Sequence, residues 1–189
     1  GDNRIYGTAQ LDQALAGAIQ IELPRLVQLW PGLAGKASGD IQLSGTLEQP
    51  QAVAQLQGRG IAYDGQRVGQ LELKGELLAE QRVQFALDAQ RIWSGESEIG
   101  VLHIEGQGDM AAHTGQLALT GPVLNSEIKI SGGLNDKGDW LGQIQQLDLS
   151  SHEQNWALEK STAVNYLSSG ELTLAAHCLK SGASSLCAG

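Results

Sequence analysis

Aromatic residues are scarce in this chain, 4% of 189 residues with one phenylalanine, and there is one methionine. Any core must therefore be built mostly from leucine, isoleucine, valine and alanine. Cations are few as well: 12 Lys+Arg against 21 Asp+Glu gives a formal charge of −9. That balance argues against nucleic acid, or an anionic membrane surface, as the main partner. No stretch approaches the ~20 uninterrupted apolar residues of a membrane span, and no charged-then-apolar segment opens the sequence. The histidines, His103, His113, His152 and His177, form no i/i+2 or i/i+4 pair, so metal ligation has no foothold. There is no Gly-x-Ser-x-Gly elbow. The residues offer no catalytic constellation, and neither an enzyme nor a cofactor is expected.

What is present is apolar and glycine-punctuated. Apolar residues reach 41% and charged residues only 17%, too apolar for disorder and enough for a sizeable core in one domain. Glycine numbers 25, about 13% and roughly twice average usage, with no collagen period. From about residue 36 onward period-2 alternation dominates. Ile41, Leu43 and Leu47 alternate with Asp40, Gln42 and Ser44, and Leu71, Leu73 and Leu77 with Gln70, Glu72 and Lys74. Val83, Phe85 and Leu87 follow, then Leu117 and Leu119, then Ile128 and Ile130. Such alternation predicts antiparallel strands with one dry and one wet face.

A loose repeat, Gly-x-Leu-x-Leu-x-Gly, recurs at Gly39–Gly45 (with Ile41 first), Gly69–Gly75 and Gly115–Gly121. The internal glycine falls on the leucine side, where a missing side chain lets a sheet twist. Strand signals every 10–16 residues or so suggest a meander of hairpins, with Asp64-Gly65 as a turn. In a closed sandwich the leucines would pack on a second sheet. In a curved sheet left partly open they would line a trough, and little else in the chain is available to cover them.

Two near-motifs fail on context. Gly106-Gln-Gly108-Asp-Met-Ala111 matches Gly-x-Gly-x-x-Ala, but a dinucleotide site needs a helix next, and Gly115–Gly121 is strand-like. Asn135-Asp-Lys-Gly-Asp139 could open a calcium loop, but no glutamate closes it at the twelfth position, and a hairpin turn is the better reading. One segment breaks the strand rhythm. Leu23, Leu26, Val27 and Trp30 sit at helical spacing, Pro24 suits a first turn and Pro31 with Gly32 ends it, which predicts a short helix over about 22–31; an irregular loop is the alternative. Cys178 and Cys187 have two readings: idle thiols in a reducing compartment, or a disulfide in an oxidising one, closing the Ser- and Gly-rich loop 179–186.

The run Leu23-Pro-Arg-Leu-Val-Gln-Leu-Trp-Pro-Gly-Leu-Ala-Gly35, followed by Gly39-Asp-Ile-Gln-Leu-Ser-Gly-Thr-Leu-Glu-Gln-Pro50, resembles a recurring stretch of the TamB family, in the AsmA-like superfamily. The pattern there is a leucine-rich helix, Pro, Gly, then a strand ending Ser-Gly-Thr-Leu-x-x-Pro. Gly106-x-Gly108 followed by His113, Leu134–Gly142, Leu147-x-Leu149, Trp156-x-Leu158 and the closing Cys178 and Cys187 also fit. The resemblance spans nearly the whole chain.

It implies an all-β fold, a curled antiparallel sheet or β-taco with a hydrophobic groove and one short helix near the amino terminus. Residues 1–189 would form a single segment of a longer periplasmic rod, a middle fragment without the family's membrane anchor or its partner-binding domain, with a disulfide-closed tail at 178–187. Ile41, Leu43, Leu47, Leu71, Leu73, Leu77, Val83, Phe85, Leu87, Leu117, Leu119, Ile128 and Ile130 would line the groove. The implied role is to carry phospholipid acyl chains between inner and outer membranes and to support outer-membrane assembly. The alternative is a scaffold assisting insertion of outer-membrane barrel proteins and autotransporters with TamA, without lipid transport. The implied place is the periplasmic part of an inner-membrane-anchored protein of a Gram-negative envelope. A TamA-like outer-membrane barrel would be met only through the full-length protein, and open sheet ends would favour edge-to-edge self-association of the fragment.

Overall fold

The computed structural model describes residues 2–11 and 14–189. The chain divides into two units, Gly1–His103 and Ile104–Gly189. In the first, six strands run up and down in sequence order: β1 (Arg4–Leu11), β2 (Leu15–Leu23), β3 (Ala34–Gly45), β4 (Pro50–Tyr63), β5 (Gln66–Leu77) and β6 (Val83–Ser94). Each pairs antiparallel with the next. The β4–β5 turn is made by Asp64 and Gly65, both at positive φ (45° and 79°), the backbone that an Asp-Gly hairpin predicts. A seventh strand, β7 (Ser97–Gly108), carries the chain from one unit into the other.

In the second unit β8 (His113–Thr120), β9 (Asn125–Leu134) and β10 (Trp140–Ser150) form a meander. The other edge of β10 is shared. Its Trp140–Ile144 half pairs with β12 (Thr162–Tyr166), and Asp148–Ser150 pairs with β11 (Asn155–Leu158). β13 (Leu172–Leu174) adds to β12. β14 (His177–Ser181) joins β11 to β15 (Ser184–Ala188). The Asn135–Asp139 turn between β9 and β10 is the hairpin turn expected, closed by Asn135 Oδ1 accepting from the backbone N–H of Lys137 and Asp139. Residues after Gly108 enter strand β8, as the rejection of a dinucleotide motif anticipated.

The fold is all-β and antiparallel, as the alternation predicts, with two departures near the start. Strands begin at Arg4 and Leu15, well before residue 36, because Ile19, Ile21 and Leu23 already alternate and pair with Ile41, Gly39 and Ala37. The expected helix over 22–31 is a single 3₁₀ turn, Leu26–Gln28. Leu23 is taken by β2, and Pro31 with Gly32 stops the chain after one turn, so only the seven residues 24–30 are left to be helical. Of the four apolar side chains assigned to it, Leu26 alone is buried. The described residues contain no α-helix.

Neither unit has a sealed core. Among the described residues only Leu26 and Ala89 are buried apolar side chains, at 6% and 4% exposure, and none of any type falls below 2%. Within each unit, every substantial contact between described strands joins sheet neighbours, so the strands follow one another edge to edge. The chain exposes 12445 Å² at 20.0 kDa. A compact monomer of that mass exposes ~8,700 Å², and two separate compact halves ~10,500 Å² together. The excess survives even when the units are counted apart, and it is the signature of open sheets.

Candidate functional site

Cross-strand register determines which side chains share a face. In the first unit, Ile19, Ile41, Ala54, Gly75 and Phe85 are directly opposite one another from β2 to β6. One step along, Leu43, Ala52, Leu77 and Val83 form a second row, and Ile21, Gly39, Leu56, Leu73 and Leu87 a third. Leu23, Ala37, Gly58, Leu71 and Ala89 form the fourth. These rows run across the strands and mix bulky with small residues. A Cβ on Gly39 would collide with the Gln55 carbonyl oxygen and the Leu56 side chain, so the glycine lets Leu56 lie down across the face.

The opposite face is polar. Ser38, Gln57, Glu72 and Asp88 are in one row there. Glu72 takes Lys74 Nζ at 2.9 Å, an ion pair that raises the lysine pKa, and Asp88 meets His103 Nδ1 at 2.8 Å. Along β3 burial alternates strictly, aliphatic positions half-covered and polar positions exposed. With the strands of this unit in contact only as sheet neighbours, one-sided cover means the sheet bends toward its aliphatic face.

The second unit repeats the design by itself. Leu117, Ile128 and Leu147 form one row and Gly115, Ile130 and Ile144 the next. Leu119 faces Ser126, which faces Leu149, which faces Trp156 on β11. At the other margin stand His113, Gly132 and Gly142, and there the indole of Trp140 lies over both glycines. The tail is pinned where expected: Cys178 and Cys187 are cross-strand partners in the β14–β15 hairpin and form the disulfide. Closing so short a loop contributes ~2–3 kcal/mol against fraying in the chain-entropy account.

Of the expected lining residues, Ile41, Leu43, Leu71, Leu73, Leu77 and Leu87 come together, half-buried, on the first unit's aliphatic face, and Leu117, Leu119, Ile128 and Ile130 on the second's. Val83 and Phe85 share the first face by register but are 44% and 41% exposed, at the margin of their strand. Leu47 does not belong. Gly45 turns the backbone at φ 96°, ending β3, and Leu47 sits in the Thr46–Gln49 turn at 69% exposure. Ile19, Leu56, Ile144 and Leu147 were missed. Their own alternation is present in the sequence, but only the register of their neighbours places them on these faces.

The family model described as "TamB, N-terminal domain" matches residues 1–189. A curated relative, the translocation and assembly module subunit TamB of Haemophilus influenzae, is 22% identical over 193 aligned residues, covering 99% of this chain. The chain spans about 15% of that relative's length. No solved structure matches it. The N-terminal description leaves the expected middle position without support. With the match running from the first residue to the last, the chain belongs to the TamB family.

Proposed function

We propose that this chain is a segment of a periplasmic lipid conduit, its two aliphatic sheet faces holding phospholipid acyl chains in transit between inner and outer membranes. The observation that carries this is the set of rows across β2–β6, apolar from strand to strand, whose side chains, apart from Ala89, are only half-buried or exposed. Each methylene moved from water onto such a face gains ~0.8 kcal/mol. Four strand gaps at ~4.8 Å give ~19 Å of apolar floor across the strands. The rows offer no charged or hydrogen-bonding group to fix a tail in one place, so a chain can slide along them. The role is non-catalytic and needs no cofactor. Family membership supports a part in outer-membrane assembly, and a periplasmic place in an inner-membrane-anchored protein follows from the same reading.

A photo-crosslinking residue at Leu73, Leu87 or Ile130 is expected to capture phospholipid in cells, and one at Glu72 or Asp88 is not. Capture only at the polar positions overturns the conduit.

One observation favours a second reading, a scaffold for outer-membrane barrel proteins working with a TamA-like partner. β1 is exposed along all eight residues, and among the described residues it pairs with β2 alone, a strand suited to pairing with a client strand or a second copy of the fragment. That reading predicts polypeptide crosslinks along Arg4–Leu11 and no lipid on the aliphatic faces.

A further inference from the structure

One margin of the first unit carries apolar side chains that the aliphatic face does not use. The β2–β3 connection and the β4–β5 and β6–β7 turns lie together there, since each strand is antiparallel to the next. The 3₁₀ turn buries Leu26 and turns Val27, Leu29 and Trp30 outward at 55%, 56% and 61% exposure. Trp30 Nε1 donates to Tyr63 Oη at 3.4 Å, and Tyr63 is itself 48% exposed. The neighbouring turn adds Trp93, with the Arg67 guanidinium 5.4 Å from its ring centroid and bonded to the Gly95 carbonyl at 3.0 Å.

The charge of −9 is unevenly laid out. Six of the 12 cations, Arg4, Arg25, Lys36, Arg59, Arg67 and Arg91, fall in these connections or within five residues of this end of a strand. Only five of the 21 acids do, Asp2, Glu22, Asp64, Glu96 and Glu98. The rest of the chain holds six cations and 16 acids, so this margin is near neutral or slightly positive on an otherwise strongly acidic body. Lys36 and Arg59, partners across β3 and β4, line a depression of about 400 Å³ beside Glu22 and Pro24.

We propose that this margin docks the first unit on a phospholipid bilayer, with Val27, Leu29 and Trp30 entering the interface and Lys36, Arg59 and Arg67 meeting anionic headgroups. Tryptophan, tyrosine and arginine above exposed aliphatics are the side chains that settle at a membrane–water boundary. The local charge suits an anionic surface, which whole-chain charge alone disfavours. This goes beyond acyl-chain carriage, because margin and faces are separate surfaces.

The test is co-sedimentation of the 189-residue chain with vesicles of phosphatidylcholine containing about one third phosphatidylglycerol, alongside tryptophan quenching by brominated lipid. The wild-type chain is expected to partition and be quenched. Val27→Ser/Leu29→Ser/Trp30→Ser is expected to lose roughly tenfold or more in partition. Lys36→Gln and Arg67→Gln are each expected to lose roughly fivefold on these vesicles and little on pure phosphatidylcholine. Val123→Ser, an exposed apolar residue of the other unit, should change nothing. Absence of wild-type partition, a triple variant that binds like wild type, or an equal loss at Val123 overturns the proposal. Should the triple variant misfold, quenching of the wild-type chain and the two cation variants decide the matter. Leu73→Asp should leave partition intact, which separates this docking from failure of the conduit.

Discussion

The indole N–H of Trp140 donates to Nε2 of His113 at 2.6 Å, and the rings stack with centroids 6.1 Å apart. Because Nε2 accepts, the imidazole proton sits on Nδ1 and is donated to the Asp109 carbonyl at 2.9 Å. The indole lies flat because Gly132 and Gly142 beneath it have no side chains: a Cβ on Gly142 would run into the ring and into the Ser131 carbonyl. Gly142→Ala is therefore expected to lift Trp140 off the sheet and break its bond to His113, at a cost on the order of 1–3 kcal/mol. The check is a double-mutant cycle by chemical denaturation. The alanine should cost less in a Trp140→Ala background, because only the Ser131 clash remains.

Asp139 ties two connections of the second unit together. Its Oδ1 accepts from the Ser168 N–H at 2.9 Å and its Oδ2 from Asn135 Nδ2 at 3.1 Å, and these bonds hold its carboxyl below the usual value. A depressed folded-state pKa stabilises the fold above the unfolded value, near pH ~4, and that contribution is lost as pH falls through the folded value. The segment 167–171 should therefore loosen under acid. Glu159, lowered by Lys180, titrates in the same direction, so global stability does not separate the two. The Ser168 amide resonance does: its shift should follow pH in the parent chain and be flat in Asp139→Asn.

Alternation made β3 to β6, β8 and β9 legible, because a half-covered strand writes its two faces directly into the sequence. The same rule over-reached at Leu47, which keeps the spacing of Leu43 but lies beyond the left-handed Gly45 that ends the strand. It stopped short at the amino end, where Arg4–Leu11 is exposed throughout and has no dry face to record. The Leu-Val-Gln-Leu-Trp run reads as helix because apolar spacing cannot distinguish side chains packed on a sheet from side chains held out to solvent. Membership of the aliphatic rows was only half legible. Ala54 and Leu56 carry the alternation, but that they stand opposite Ile41 and Gly39 is a fact of register, determined by a turn several residues away.

Openness of the aliphatic face has a direct consequence for a charge placed on it. Leu73 stands between Leu56 and Leu87 in the third row and is half-buried, and the contacts of its strand within the first unit are with sheet neighbours. In a sealed core an unpaired carboxylate there would cost several kcal/mol and unfold a marginally stable domain. On an open face the carboxylate turns toward water, and the loss is mainly leucine burial, about 1–2 kcal/mol. Leu73→Asp should therefore keep a single cooperative transition with a melting temperature lowered by only a few degrees, as should Ile130→Asp in the second unit. The same substitutions put a charge in the path of a sliding hydrocarbon tail, so phospholipid captured at Leu87 should fall sharply in Leu73→Asp. Differential scanning calorimetry reads the first effect and crosslinking the second. Outright unfolding would mean a covered face and would remove the physical basis of the conduit.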